Sequence, residues 1–501
     1  MNKIGVIYIG ANSVKFTLMN VLHSGFYKII DESINDIKLA QDLINSDEIS
    51  EQKINETLSN FRSFKSLCKI LDVTDTIAIA TSTLNKASNY KYFLNLIKKE
   101  FDIDVNLLSD EDEINCTYLG VTKSIYTSNS LIVDICGACT HLTAIKNGQI
   151  ENSVTLPFGS LSHTYEYHLE DRVLYDDLIN SISTIQTALN NIEWLNKDNY
   201  DSIIGVGGTA RAICKIDRAK KRYPFDIIHN YRLSSQDVHQ IYNSLKCNDY
   251  NQRVKVQGLS PERADLIVGG LTIFDTIIKI INCEDIIVSG RGIREGYIFS
   301  YIESNYSPIN DILDYNLNGI MDYLHINKDH AKRVFNMTYK LFDELKSLHR
   351  LGTSYDNALK TAALLNNSGI SIDYYHHNMH SFYVILHSNI NGISHKELVI
   401  SAAIAANHNN KNLVPLPAFF SIISKLDLKA IDVIGVLLSI SETLHKSLEN
   451  PIESMNIDIT DEFVLITLSA NVNINFEINK VLRIKHKFKE IYHRELKIEQ
   501  I

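Results

Sequence analysis

Apolar positions along the first three hundred residues alternate between two periods. KIGVIYIG (3–10) is a β-branched apolar run closed by glycine, the pattern of a buried strand. Ile54, Leu58, Phe61, Leu67 and Leu71 then fall at helical spacing. DTIAIATS (75–82) reads as a second buried strand, about Tyr90 to Glu100 as a helix, and Asp104 to Leu108 as a third strand. A second cycle opens at SLIVDICGACTHLTAIKNGQI (130–150), two apolar runs around a small-residue turn followed by Asn147-Gly148, which predicts a hairpin meander. SIIGVGGTARAI (202–213) and EDIIVSGRGIREGYIF (284–299) each read as strand, glycine turn and helix. A strand-hairpin-helix plan thus occurs twice, which indicates an α/β chain with two lobes.

The pattern changes after Tyr306-Ser307-Pro308. From about Asp311 to His445 nearly every segment has helical periodicity, and IDITDEFVLITLSANVNINFEI (457–478) reads as short alternating strands. The expected division is 1–122, 123–303 and 304–501.

A chain of 501 residues exceeds one hydrophobic core, and 45% hydrophobic with 22% charged residues excludes disorder and fibrous repeats. No apolar run reaches the roughly 18 residues of a membrane span, and the N-terminus lacks a signal-peptide layout, so no membrane association and a cytoplasmic location are expected. Seven cysteines without framework spacing suit reduced thiols. Cys136 and Cys139 form a C-x-x-C that is either a pair of small turn residues or part of a metal or redox site. The formal net charge of −10 argues against a nucleic-acid partner while leaving room for a local groove for a polyanion.

Three glycine turns that each follow a strand are what a phosphate site requires, because glycine lets backbone N–H groups converge on an anion. Gly10, Asn12 and Ser13 form the first, Gly137 the second, and Gly207, Gly208 and Thr209 the third. Arg211 lies just inside the following helix, where it either reaches an anion or forms a surface salt bridge.

The order and spacing of IGANSVKFTL, ATSTLNKASNYKYF, LLSDEDEINCTYLGV, LIVDICGACTHL, TLPFG, GVGGTARAI, LSPERADLIVGG and SGRGIREG resemble the exopolyphosphatase / guanosine pentaphosphate phosphatase (Ppx/GppA) family. HAKRV, LKTAALLNNSG and HSFYVILHSNINGIS extend the resemblance toward the C-terminus. It implies two actin-like (ribonuclease H-like) lobes, a mostly α-helical HD-like domain with a short β part, and a site in the cleft between lobes. It also implies release of terminal phosphate from inorganic polyphosphate, or of the 5′ phosphate from guanosine pentaphosphate, with Mg2+ as cofactor. Homodimers are an expectation by analogy. In LLSDEDEIN the resemblance assigns catalysis to Glu113, as general base, with Asp112 beside it. The bare sequence reads the same pair equally well as an acidic first turn stabilised by the helix dipole. Asp134 is the implied metal ligand.

Departures from the family pattern gather at the site. Tyr8 stands where an Asp is usual, Asn85 where an Arg is usual, and the turn Asp-Ile-Gly-Gly-Gly-Ser-Thr-Glu reads Asp134, Ile135, Cys136, Gly137, Ala138, Cys139, Thr140, His141. Tyr8 and His141 are poor ligands for magnesium, although His141 with Cys136 or Cys139 suits a softer metal. The expectation is a phosphohydrolase, or else a catalytically impaired member that binds polyphosphate or alarmone as a regulatory protein. In the C-terminal domain His330, His380 and His408 sit at or near family positions, but the His-Asp pair is replaced by Asn366-Asn367, so metal hydrolysis is not expected there.

Overall fold

The computed structural model describes residues 2–195, 199–407, 416–446 and 451–501, with the side chains of residues 44, 45 and 407 excepted. It contains two compact units, Met1–Ile312 and Leu313–Ile501.

The first unit is built on two sheets. In one, β1 (Asn2–Ile9), β2 (Val14–Val21), β3 (Tyr27–Asn35), β4 (Asp75–Ala80) and β5 (Val105–Leu107) run in the order β3-β2-β1-β4-β5. In the other, β6 (Asn129–Ile135), β7 (Thr140–Lys146), β8 (Gln149–Leu156), β9 (Ser202–Val206), β10 (Tyr231–Ser234) and β11 (Asp285–Val288) run in the order β10-β11-β9-β6-β7-β8. Each sheet joins an antiparallel three-strand meander to parallel strands, so the doubled plan read from the pattern is real. The first core gathers Ile7, Ile9, Val14, Phe16 and Leu18 with Ile54, Leu58, Phe61 and Phe64 of the helix Glu51–Ile70. The second packs Leu131, Val133 and Ile203 against the helix Ile267–Ile281, whose residues 267–278 are all buried. That helix is mostly apolar, and its one buried acid, Asp275, is paired with His239 and Lys279.

Arg253 is fully buried, which a guanidinium tolerates only when its donors are used. It donates to the carbonyls of Asn248, Leu169, Glu170, Asp171 and Ala264, tying three loops of the second lobe together.

The helices Asp110–Thr122 and Ile293–Asn305 cross at backbone contact. A Cβ on Gly296 would lie 1.6 Å from the Cys116 carbonyl oxygen, and one on Gly120 would lie 2.5 Å from that of Gly292. Only glycine fits at either position, because no side-chain atom fits between the two backbones.

The second unit is mostly helical, with Lys328–Glu344, Asp356–Leu365, His377–His387, His395–Asn407 and Lys425–Leu444 among its helices. β12 (Ile452–Ile459), β13 (Phe463–Ala470) and β14 (Glu495–Gln500) form a three-stranded sheet in the order β12-β13-β14. The expected strand pattern holds for β12 and β13 but ends there. Asn475–Val481 is a helix, and the buried Ile474, Ile478 and Val481 follow its four- and three-residue spacing rather than the period of two in NVNINFEI. No helix among the described residues is long and apolar enough to cross a membrane.

Candidate functional site

Three strand ends of the first unit meet around one cleft of about 870 Å³, its open mouth included. The turn after β1 contributes Gly10, Asn12 and Ser13, the turn between β6 and β7 contributes Cys136 and Gly137, and the turn after β9 contributes Gly207 and Gly208. Gly207 has φ +88°, and a Cβ there would press on the Ile135 carbonyl oxygen at 2.7 Å, so glycine alone lets the chain turn this close to β6. The helix Gly207–Lys221 starts at this turn and aims its N-terminal N–H groups at the cleft. The Asn12 side-chain oxygen is buried without a hydrogen-bond partner.

The cleft is also lined by cations. Lys15, Arg211, Arg263, Arg291 and Arg294 all line the cleft. Burial, then Arg211 and Arg294, lower the Lys15 pKa to about 7. Burial, then Arg211, lower that of Arg263 to about 10. Arg294 is held by Glu295, Glu32 and Thr17. Glu295 is buried and its pKa falls to about 2, because Arg294 and Arg291 outweigh the upward pull of burial. Lys15, Arg211 and Arg263 thus repel one another in a desolvated space, an unfavourable arrangement that a polyanion relieves.

Glu113 lies on the cleft floor, 1% exposed, in the first turn of the helix Asp110–Thr122. Its Oε1 accepts the Ser82 N–H at 2.5 Å, and its Oε2 lies 3.3 Å from His141 Nε2. Asp134 lines the same floor and accepts from Thr117 at 3.0 Å; burial raises its pKa. Tyr8, also on the floor, is held as a neutral phenol by burial and by Cys136, Glu113 and Asp134. His141 is buried with Nδ1 3.0 Å from Thr155 and Nε2 3.5 Å from Cys139 Sγ. Burial pulls its pKa down, but the contacts to Cys139 and Glu113 hold it at about 10.

The cleft therefore brings together Gly10, Asn12, Ser13, Gly137, Gly207, Gly208, Arg211, Glu113 and Asp134. It does not include Asp112 or Thr209. Asp112 is exposed and closes a capping box, accepting from the Ser109 N–H and hydroxyl at 2.9 and 2.7 Å. Adjacent residues in a helix point about 100° apart, so only one of the two carboxylates faces inward. Thr209 is buried against Gly270. Arg211 lines the cleft and donates from Nε to the Gly207 carbonyl. Asn85 is exposed and lines no part of the cleft. Sequence reasoning missed Lys15, Arg263, Arg291 and Arg294, although the last three sit in LSPERAD and SGRGIREG, segments rich in turn residues where arginine is otherwise unremarkable.

The residues present do not fit magnesium. That ion takes an octahedral shell of oxygens, whereas Asp134 and Glu113 already serve Thr117, Ser82 and His141, and the groups beside them are two thiols, an imidazole and a phenol.

In the second unit, Asn366 and Asn367 donate to Glu442 at 2.9 and 3.0 Å, and His330 Nε2 lies 3.1 Å from the same carboxylate. This is a hydrogen-bonded cluster around one carboxylate. His380 is partly buried on the helix His377–His387, and His408 lies outside the described residues.

Comparison with known proteins agrees with this architecture. Residues 20–305 match the model of the Ppx/GppA phosphatase family, and residues 313–488 match that of Ppx/GppA phosphatase, domain III. A guanosine-5′-triphosphate,3′-diphosphate pyrophosphatase of Aeromonas salmonicida is 22% identical over 81% of this chain and 80% of its own length. One of Pseudoalteromonas translucida is 24% identical over 82% of this chain and 81% of its own. Among solved structures, the Aquifex aeolicus family member (24% identity, TM-score 0.54) and an exopolyphosphatase from Cytophaga hutchinsonii (20% identity, TM-score 0.57) each align with 61% of this chain, over 99% and 100% of their own lengths. With two matching family domains over the two lobes and the helical unit, the chain belongs to the Ppx/GppA phosphatase family.

Proposed function

We propose that this protein is a phosphohydrolase of phosphoanhydride chains, releasing terminal phosphate from inorganic polyphosphate or the 5′ phosphate from guanosine pentaphosphate. The observation that carries the reading is the cleft itself, lined together by glycine turns, a helix N-terminus, cationic side chains and the Glu113 carboxylate. Amides and guanidinium groups aimed at the transferred phosphoryl group stabilise the charge that spreads over its oxygens. Glu113 accepts a proton from the attacking water as the new P–O bond forms and the bridging P–O bond breaks, and the leaving chain departs as an anion against the arginines. No step is routed through magnesium, whose shell the floor does not provide. Phosphate release from long-chain polyphosphate, compared between the natural protein and Glu113→Gln, tests the reading. Equal rates in the two would overturn it.

One observation favours a second reading. Glu113 is engaged by His141 and Ser82, so the base is not free in this geometry. A protein that binds polyphosphate or alarmone and acts by binding would retain the cationic lining and need no base. Calorimetry separates the two, since micromolar binding without turnover supports the second and turnover lost in Glu113→Gln supports the first.

A further inference from the structure

We propose that Glu113, Cys136, Cys139 and His141 form a tetrahedral binding site for a borderline-soft divalent cation, zinc above all. The inference goes beyond the phosphohydrolase reading and is independent of it. One ligand atom from each of these four residues lies within 4.8 Å of all the others, and Glu113, Cys139 and His141 are buried. Thiolate sulfur, imidazole nitrogen and carboxylate oxygen are each ligands that tetrahedral zinc takes.

The separations support a metal over a purely hydrogen-bonded cluster. Tetrahedral zinc at ordinary bond lengths places a sulfur and a nitrogen ligand about 3.6 Å apart, and a nitrogen and an oxygen ligand about 3.4 Å apart. The corresponding distances are 3.5 Å from Cys139 Sγ to His141 Nε2 and 3.3 Å from His141 Nε2 to Glu113 Oε2. The oxygen contact also exceeds the roughly 2.9–3.0 Å of an ordinary N–H···O bond. Nδ1 of the same ring meets Thr155 Oγ1 at an ordinary 3.0 Å, which fixes the ring with Nε2 toward the cluster, as outer hydrogen bonds do for metal-ligating histidines. The two cysteines come from one turn closed by the Cys136 N–H to Cys139 carbonyl bond at 3.0 Å, which keeps both thiols on one side of the β6–β7 hairpin.

Glu113 belongs to the helix Asp110–Thr122 and the other three ligands to the β6–β7 hairpin, so a bound cation clips these two elements together. It also occupies the carboxylate assigned above as the base, so zinc occupancy and hydrolysis oppose each other.

The test uses the full chain, reduced and stripped with chelator, titrated with zinc against a chromophoric competitor and separately with cobalt(II). The expected result is one equivalent bound at submicromolar affinity, with a thiolate-to-cobalt absorption band and visible bands of tetrahedral cobalt. Cys136→Ser/Cys139→Ser should weaken zinc by more than about a hundredfold, and Thr155→Val by roughly tenfold, the range for loss of an outer hydrogen bond. Far-ultraviolet circular dichroism and a cooperative thermal transition check that the double variant is folded; if it is not, His141→Gln replaces it. No saturable zinc uptake by the reduced protein, cobalt binding without the thiolate band, or equal affinity in the cysteine variant would each overturn the site. So would a Cys136–Cys139 disulfide whose reduction yields thiols that take up no zinc. None of these readouts depends on phosphate release, so absence of hydrolysis would leave the result intact.

Discussion

Replacing Gly208 by alanine offers a measurement of one arginine without touching it. A Cβ at this position would lie 2.0–2.1 Å from the Arg263 guanidinium. Nonbonded atoms settle at roughly 3.5 Å, so the guanidinium must retreat by about 1.5 Å, enough to lose a charge-assisted hydrogen bond to a phosphate at the helix N-terminus. Such a bond contributes on the order of 1.5–3 kcal/mol net, which is roughly 10- to 150-fold in affinity. Stability should not fall, because Gly208 has no positive φ and alanine is the better helix former by up to about 1 kcal/mol. The assay is calorimetry with polyphosphate of defined length on Gly208→Ala, Arg263→Ala and the double variant. If Gly208 matters only by making room for Arg263, the double variant should bind no more weakly than Arg263→Ala. Unchanged affinity in Gly208→Ala, or additive losses in the double variant, would refute the placement of Arg263 over the turn.

Polyphosphate affinity should fall as pH rises from 6 to 8, by up to about tenfold, because Lys15 is charged below its pKa of about 7 and neutral above it. A bound polyanion raises that pKa, so binding at pH 8 should take up protons, read from the dependence of calorimetric heat on buffer, and Lys15→Met should flatten both effects. Gly296→Ala should destabilise the first unit by about 1–3 kcal/mol or more in urea unfolding, since its Cβ meets backbone. Gly352→Ala, with nothing within 4 Å of its Cβ, should stay within about 1 kcal/mol of the natural protein. Glu442→Ala should lower the thermal unfolding temperature of the second unit, leaving Asn366, Asn367 and His330 without their shared acceptor at a cost of about 2–4 kcal/mol.

Glycine made the turns that line the cleft legible, because Gly10, Gly137 and Gly207 each follow a buried strand, and the chain turns at Gly207 with φ +88°. The cationic lining was not legible in the same way. Lys15, Arg263, Arg291 and Arg294 come from distant segments, and the pairing of β9 with β11 carries the last two to the strand end beside Arg211. Asp112 and Glu113 could not be told apart by type, since both suit a helix N-terminus. Their roles differ by the angle each takes around the helix, which the cap at Ser109 fixes. The alternation in NVNINFEI misled for a related reason. Its asparagines are exposed in either element, so the period of two carried no burial information beyond Ile474 and Ile478.

The glycine crossing of the helices Asp110–Thr122 and Ile293–Asn305 acts as a machinist's jig. Glu113 lies one turn from Cys116 on the first helix, and Arg294 and Glu295 open the second. With main chain resting on main chain at Gly120 and Gly296, the separation of the two helices that carry Glu113 and Arg294 is set by backbone. A cleft gauged in this way keeps its dimensions when a group on its floor is replaced, since Tyr8, His141, Cys136 and Cys139 take no part in that contact. Tolerance for new chemistry on the floor and intolerance of a single methyl group at the crossing have the same mechanical origin.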